Sequence, residues 1–213
     1  MGMLKGAVIP VTGFQQNCTI LWDDGSKQGV VVDPGGDVDR IFAAIEQAGA
    51  SIERIWLTHG HLDHAGGAAE LQEKLGGVPI EGPERRDDFL LQGLEEQGRA
   101  YGFAMRNVAP TRWLMEGDSV MLGEHRFDVL HCPGHTPGHV VYVNHAARFA
   151  LVGDVLFQGS VGRTDFPYGD HEALIRAITE KLLPLGDDFQ FMCGHGPGST
   201  IGAERLNNPF LQG

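Results

Sequence analysis

The chain of 213 residues is 42% hydrophobic and carries a formal net charge of −12, with an isoelectric point near 5.1. That apolar fraction supports a core of its own, and the length suits one compact domain. So acidic a balance excludes a nucleic-acid partner, which needs Lys and Arg gathered on one face, while small anionic substrates answer to local charge and stay open.

In chain order, strands are expected over residues 4–10, 18–22 and 29–33, separated by Gly and Asp turns. Ile41, Phe42, Ile45 and Ala48 recur at helical spacing and predict a helix over 38–49, ended by Gly49. Residues 52–57 read as a buried strand, and 64–75 as a helix through Ala65, Ala68, Leu71 and Leu75, with Gly66 and Gly67 permitting close packing. The charged stretch 83–112 is less regular; a short helix around Phe89, Leu90 and Leu94 either covers a cleft or is a solvated connection. Strands follow over 119–122, 126–131, 140–143 and 149–152, then a helix over 171–183 and a last strand over 189–192. The whole is a single α/β domain without linker or low-complexity segment. No apolar run approaches the ~18 residues of a membrane span and no N-terminal stretch has the order of a signal peptide, so a cytoplasmic protein without a membrane partner is expected. Cys18, Cys132 and Cys193 are odd in number and scattered, which argues against a disulfide framework and fits a reducing compartment.

The chemistry is concentrated in Thr58-His-Gly-His-Leu-Asp-His64, where His59, His61, Asp63 and His64 follow an apolar strand directly. Imidazoles and carboxylates packed this closely repel or desolvate one another unless a cation sits between them, and they are the donors that zinc and ferrous iron take. His135, Asp154 and His195 each lie at the end of a strand-like stretch entering a Gly- or Pro-rich loop. Five His and two Asp exceed one tetrahedral ion and suffice for two ions sharing a carboxylate. His139 is four residues from His135, but the Pro-Gly pairs exclude a helix there, so it is read as supporting or structural. His131 either supports a ligand or is structural, and His125, His145 and His171 are assigned to turns or helix termini. Cys132 and Cys193, each close to a proposed ligand, are assigned to packing.

The order H-x-H-x-D-H, then His, then Gly-Asp, then Gly-His resembles the metallo-β-lactamase superfamily over nearly the whole chain. Within it, the chain most resembles the short type II glyoxalases, the hydroxyacylglutathione hydrolases. The stretches that carry this are Pro10-Val11-Thr12 with Gln16-Asn17-Cys18, Val32-Asp33-Pro34-Gly35-Gly36, Gly162-Arg163-Thr164-Asp165-Phe166, and Glu204 through Asn208-Pro209-Phe210-Leu211. The resemblance implies a four-layer αββα sandwich of two similar halves, with two divalent ions (zinc, or else iron or manganese) where the sheets meet. It implies that His59, His61 and His135 hold the first ion and Asp63, His64 and His195 the second. Asp154 bridges them, and Asp63 and Asp154 hold the bridging hydroxide.

The activity so implied is hydrolysis of S-(2-hydroxyacyl)glutathione, with S-lactoylglutathione as lead candidate and methylglyoxal detoxification as the setting. A thiolester suits such a site, because a thiol of pKa about 8.5 departs as thiolate without strong acid assistance. Longer glyoxalases hold glutathione with a C-terminal helical region that this sequence, ending soon after Asn208-Pro209-Phe210, is expected to lack. Arg163 either clamps a substrate carboxylate or pairs with Asp165 or Asp170 at the surface. Sulfur dioxygenases of the superfamily share the Gly-Arg-Thr-Asp-Phe stretch and are the alternative: they use one iron at positions matching His59, His61 and Asp154 or His135, and oxidise glutathione persulfide. A β-lactamase is less favoured, because Asp154 stands where those enzymes often use another ligand. A non-catalytic scaffold is disfavoured, since all seven ligand positions are intact.

Overall fold

The computed structural model of the chain describes residues 2–212. Strands β1 (Leu4–Val11), β2 (Gln16–Asp23) and β3 (Gln28–Val32) form an antiparallel meander. Helix α1 (Val38–Ala48) then returns the chain to β4 (Ser51–Trp56), which runs parallel to β3. The expected helix over 64–75 is two pieces, α2 (Leu62–Ala65) and α3 (Ala68–Lys74). It breaks at Gly66-Gly67, where the Gly67 N–H donates to the Pro34 carbonyl at 2.8 Å instead of continuing the helix. The short strand β5 (Ile80–Glu81) closes the first sheet in the order β1-β2-β3-β4-β5. Helices α4 (Asp88–Leu91) and α5 (Leu94–Tyr101) occupy the charged stretch.

The second sheet has the order β13-β12-β9-β8-β7-β6. It is built from β6 (Ser119–Leu122), β7 (His125–His131), β8 (Val140–Asn144) and β9 (Phe149–Gly153). A separate hairpin of β10 (Leu156–Phe157) and β11 (Ser160–Val161) comes next. Helix α6 (His171–Ala177), capped by Asp170, continues through a π turn and a 3-10 turn to Leu185. The chain then enters β12 (Gln190–Cys193), which pairs parallel to β9, the edge strand β13 (Ser199–Thr200) and α7 (Ile201–Asn207). The hairpin, β13 and α7 have no strong periodicity in the sequence.

Alternation along the strands produces three apolar layers. On β3, Val31 packs with Ile41, Ile45 and Leu71 of the helices, while Val30 and Val32 face the other sheet. On β9, Leu151 faces inward, and Ala150 and Val152 pack with Leu174 and Ile178 of the outer helix. Helix, sheet, sheet, helix is therefore the layer order, in one domain. At the centre, Trp56 stacks on Tyr142 with ring centroids 5.1 Å apart and meets Phe127 edge-on at the same separation. Such ring pairs contribute roughly 0.5–1.5 kcal/mol each beyond their buried area. The Tyr142 hydroxyl donates to the Leu57 carbonyl at 2.7 Å, which joins the second sheet to the start of the His59 loop.

His125 corrects the assignment to a turn or terminus. It begins β7, is buried, and its Nε2 lies 2.8 Å from the Asp23 carboxylate at the end of β2, so it ties the two sheets together. Among the described residues no helix is long and apolar enough to cross a membrane, and Cys18, Cys132 and Cys193 are free and buried.

Candidate metal centre

Loops at the carboxyl ends of the parallel pairs carry the chemistry. β3 leads into Asp33, β4 into His59, His61, Asp63 and His64, β9 into Asp154, and β12 into His195. Parallel strands point their carboxyl ends the same way, so loops far apart in sequence meet on one edge. His135 joins them from the β7–β8 loop.

All seven sequence-predicted donors converge. His61 Nδ1 lies 3.1 Å from His59 Nε2 and 2.9 Å from His135 Nε2. Asp63 Oδ2 lies 3.9 Å from His64 Nε2 and 3.2 Å from His195 Nε2. The Asp154 carboxylate reaches both groups, at 3.3 Å from His64 Nε2, 3.5 Å from His135 Nε2 and 3.7 Å from His195 Nε2. Donors about 2.0–2.1 Å from a tetrahedral ion stand roughly 3.3–3.4 Å apart, so these spacings fit two ion sites. Three overlapping trios of these residues bring their donor atoms within 4.8 Å of one another.

The far side of each ring sets which nitrogen faces the cleft. The Asp33 carboxylate accepts from the Thr58 N–H at 2.7 Å, from the Thr58 hydroxyl at 2.6 Å and from His64 Nδ1 at 2.9 Å. With its proton given to Asp33, the Thr58 oxygen accepts from His59 Nδ1 at 3.0 Å. His135 Nδ1 donates to the Arg163 carbonyl at 2.8 Å, and His61 Nε2 donates to the Tyr168 oxygen at 2.9 Å. Four imidazoles thus turn one nitrogen inward by anchoring the other, the arrangement that orients metal ligands.

Electrostatics agree with a cation site. Burial, reinforced by neighbouring imidazoles, pushes His59 well down, and burial with His135 brings His61 to about 3, so both stay neutral, the form that binds metals. Burial works to raise Asp154, but His64, His135 and His195 outweigh it and hold the carboxyl well below its usual range. Burial works to lower His64, yet Asp154, Asp63 and Asp33 together raise it well above the ordinary imidazole value. A divalent cation answers the same negative charge. His64 Nε2 and Asp154 Oδ1, 3.3 Å apart, are both buried and make no well-formed hydrogen bond, an arrangement that an ion between the groups would complete.

Other residues have roles that their sequence positions did not announce. Asp33 stood only as part of a family stretch, although its place at the end of an apolar run is that of Asp154; its backbone is left-handed, with φ 52°. Asp87 is buried beneath the His59 and His135 loops, where desolvation pushes its carboxyl up to about 6. It sits in a run of charged residues and carried no signal. Tyr168 was likewise unforeseen. His139 is fully buried, with its ring stacked on His59 at 4.7 Å, which agrees with a supporting role. His131 Nε2 donates to the Pro137 carbonyl at 2.8 Å, a structural contact. Burial raises the Cys132 and Cys193 thiols to about 12 and about 11, so both are protonated at neutral pH and belong to the packing.

The donors open into a cleft of about 610 Å³ walled by Phe14, Tyr101, Phe157, Phe166 and Tyr168. Tyr101 belongs to α5, so the charged stretch 83–112 covers the cleft on one side. Arg163 also lines it; the guanidinium makes two 2.7 Å bonds to Asp165 and lies 4.4 Å over the Phe166 ring.

A family model described as the metallo-beta-lactamase superfamily matches residues 11–195, which include all seven donors. The chain is 47% identical over 206 residues to hydroxyacylglutathione hydrolase GloC of Haemophilus influenzae, covering 96% of each. It superposes on BLEG-1 B3 metallo-beta-lactamase with a TM-score of 0.90 at 34% identity, covering 98% of this chain and 100% of the other. Against TTHA1623 in a di-iron-bound form the TM-score is 0.86 at 35% identity, covering 96% of this chain and 100% of the other. With this fold and this cluster of metal-binding side chains, the chain belongs to the metallo-β-lactamase superfamily and is a metallo-hydrolase.

Proposed function

We propose that the chain is a thiolesterase of glyoxalase II type, cleaving S-(2-hydroxyacyl)glutathione, with S-lactoylglutathione as lead candidate. His59, His61 and His135 hold one ion, Asp63, His64 and His195 the other, and Asp154 is shared. The observation that carries this reading is the Asp154 carboxylate, which lies within 3.7 Å of imidazoles from both groups. A one-iron dioxygenase would load a single ion, so metal number separates the two readings. The likeness to GloC supports the substrate class. The di-iron form of TTHA1623 supports iron beside zinc, since donor type alone does not separate them.

Two such ions supply hydroxide at neutral pH and polarise a carbonyl oxygen. The side chains do the rest. Asp33, Thr58, Tyr168 and the Arg163 carbonyl keep the imidazoles oriented, so no reorganisation is needed as charge develops. The Tyr168 oxygen accepts from His61, which leaves its own O–H to donate to a substrate oxygen in the cleft. The aromatic walls exclude water from the thiolester, and Arg163 at the mouth attracts an anionic substrate. The leaving thiolate needs no acid. Three free, buried thiols support a reducing, cytoplasmic setting.

The test is thiol release from S-lactoylglutathione by metal-loaded protein, run beside oxygen uptake with glutathione persulfide and opening of a chromogenic cephalosporin. Thiol release alone upholds the reading, and oxygen uptake alone moves the chain to the dioxygenases. The third arm covers β-lactam hydrolysis, the second reading, which the 34% identity to BLEG-1 favours.

A further inference from the structure

We propose that Asp87 is a positioning residue that preorganises the His59, His61 and His135 group and leaves the Asp63, His64 and His195 group to others. The inference rests on the two-ion reading above. The carboxylate is fully buried and spans two loops that meet only in the folded chain. Oδ2 accepts from the Gly60 N–H at 2.9 Å, between His59 and His61, and from the Thr136 hydroxyl at 2.8 Å, next to His135. Oδ1 accepts from the Gly138 N–H at 2.6 Å, next to His139. One side chain therefore bonds a neighbour of every imidazole in the first group and no neighbour of Asp63, His64 or His195.

The close approach is built in. A Cβ on Gly138 would stand 2.4 Å from the Glu84 carbonyl and 2.7 Å from the Asp87 nitrogen, so only glycine lets the His135 loop lie on this segment. Asp33 does the corresponding work for His64. Asp33 is not confined to the second group, since through Thr58 it also orients His59, whereas Asp87 reaches neighbours of the first group alone. Groups bonded directly to a metal ligand change the affinity by roughly 10- to 100-fold, and Asp87, one bond further out, is placed at the low end of that range.

The experiment is a zinc titration against a competing chelator for wild type, Asp87→Asn and Thr136→Val, the last removing one bond with little change of shape. His61→Ala and His195→Ala serve as references, and cobalt absorption spectra identify the ion that remains. The expected result is one dissociation constant raised about tenfold or more, and the other within twofold of wild type. The residual cobalt spectrum of Asp87→Asn should match that of His61→Ala. Equal weakening of both ions with a lowered melting temperature overturns the proposal, as does wild-type affinity at both sites. If Asp87→Asn does not fold, Thr136→Val decides by the same criterion. A wild-type chain holding a single ion refutes the two-ion reading instead. Asp87 is then upheld if that ion weakens tenfold in Asp87→Asn, and rejected if it does not.

Discussion

The Asp154 backbone N–H donates to His139 Nε2 at 3.0 Å. That nitrogen must therefore be bare, so the proton sits on Nδ1, and burial with nearby His135 keeps the ring neutral by pushing its pKa well down. His139 thereby aligns Asp154 from behind the cleft. His139→Leu leaves a buried N–H unpaired, at a cost of about 1–3 kcal/mol, and should lower metal affinity. His139→Gln, whose side-chain oxygen can accept, should restore part of it. Equal metal binding by both variants would remove the alignment role.

Arg163 and Asp165 are both exposed and paired, so the cation at the cleft mouth is partly neutralised. Arg163→Ala should raise KM for an anionic thiolester roughly three- to tenfold and change kcat less. Asp165→Asn should lower KM by freeing the guanidinium. Steady-state kinetics at low ionic strength separate the two, and a fall confined to kcat in Arg163→Ala would contradict the clamp.

The β10–β11 hairpin starts directly after Val155 and presents Phe157, Ser160 and Val161 to the cleft. It is held by Asn208, fully buried, whose Nδ2 donates to the Ser160 carbonyl at 3.0 Å and to Glu204 at 2.9 Å. Glu204 in turn accepts from the Gly159 N–H at 2.7 Å. Asn208→Ala should cost about 1–3 kcal/mol, or roughly 2–4 °C in Tm per kcal/mol at this chain length. Faster amide exchange confined to residues 156–161, with metal content kept and KM raised, is the expected pattern. Uniform exchange across β8 and β9 would point to general destabilisation.

Asp23 supplies a pH dependence remote from the metals. The Ser26 N–H and then His125 hold its carboxyl well below the usual range. Between the folded and unfolded values the unfolded chain binds the extra proton, so stability rises with pH there. The contribution is complete above the ordinary carboxylate value of about 3.9 and is lost as pH falls toward the depressed folded value. Asp23→Asn should therefore lower Tm at pH 7, with the gap to wild type narrowing below about pH 4. A gap independent of pH would show that the Asp23 carboxyl does not titrate as inferred.

The seven residues that the fold gathers on one edge were readable in the amino-acid order because ligand chemistry is local. Residue type, spacing and position at the end of an apolar strand are all properties of short segments, and so is the period-2 patterning that yields the sheets. The same reasoning went astray wherever pairing across the fold decides. Of ten His, the chain alone could not tell that His125 closes a bond between the sheets or which nitrogen of His139 is bare. Helix propensity through residues 64–75 missed the break at Gly66-Gly67, because it is made by an approach to Pro34 from another loop. Asp87 is the extreme case: it lies among charged neighbours, and its bonds to Gly60 and Thr136, 27 and 49 residues away, form only in the folded chain. Burial, tautomer and hydrogen-bond partner are decided by what packs around a group, and that is set only when the loops of both sheets meet on one edge.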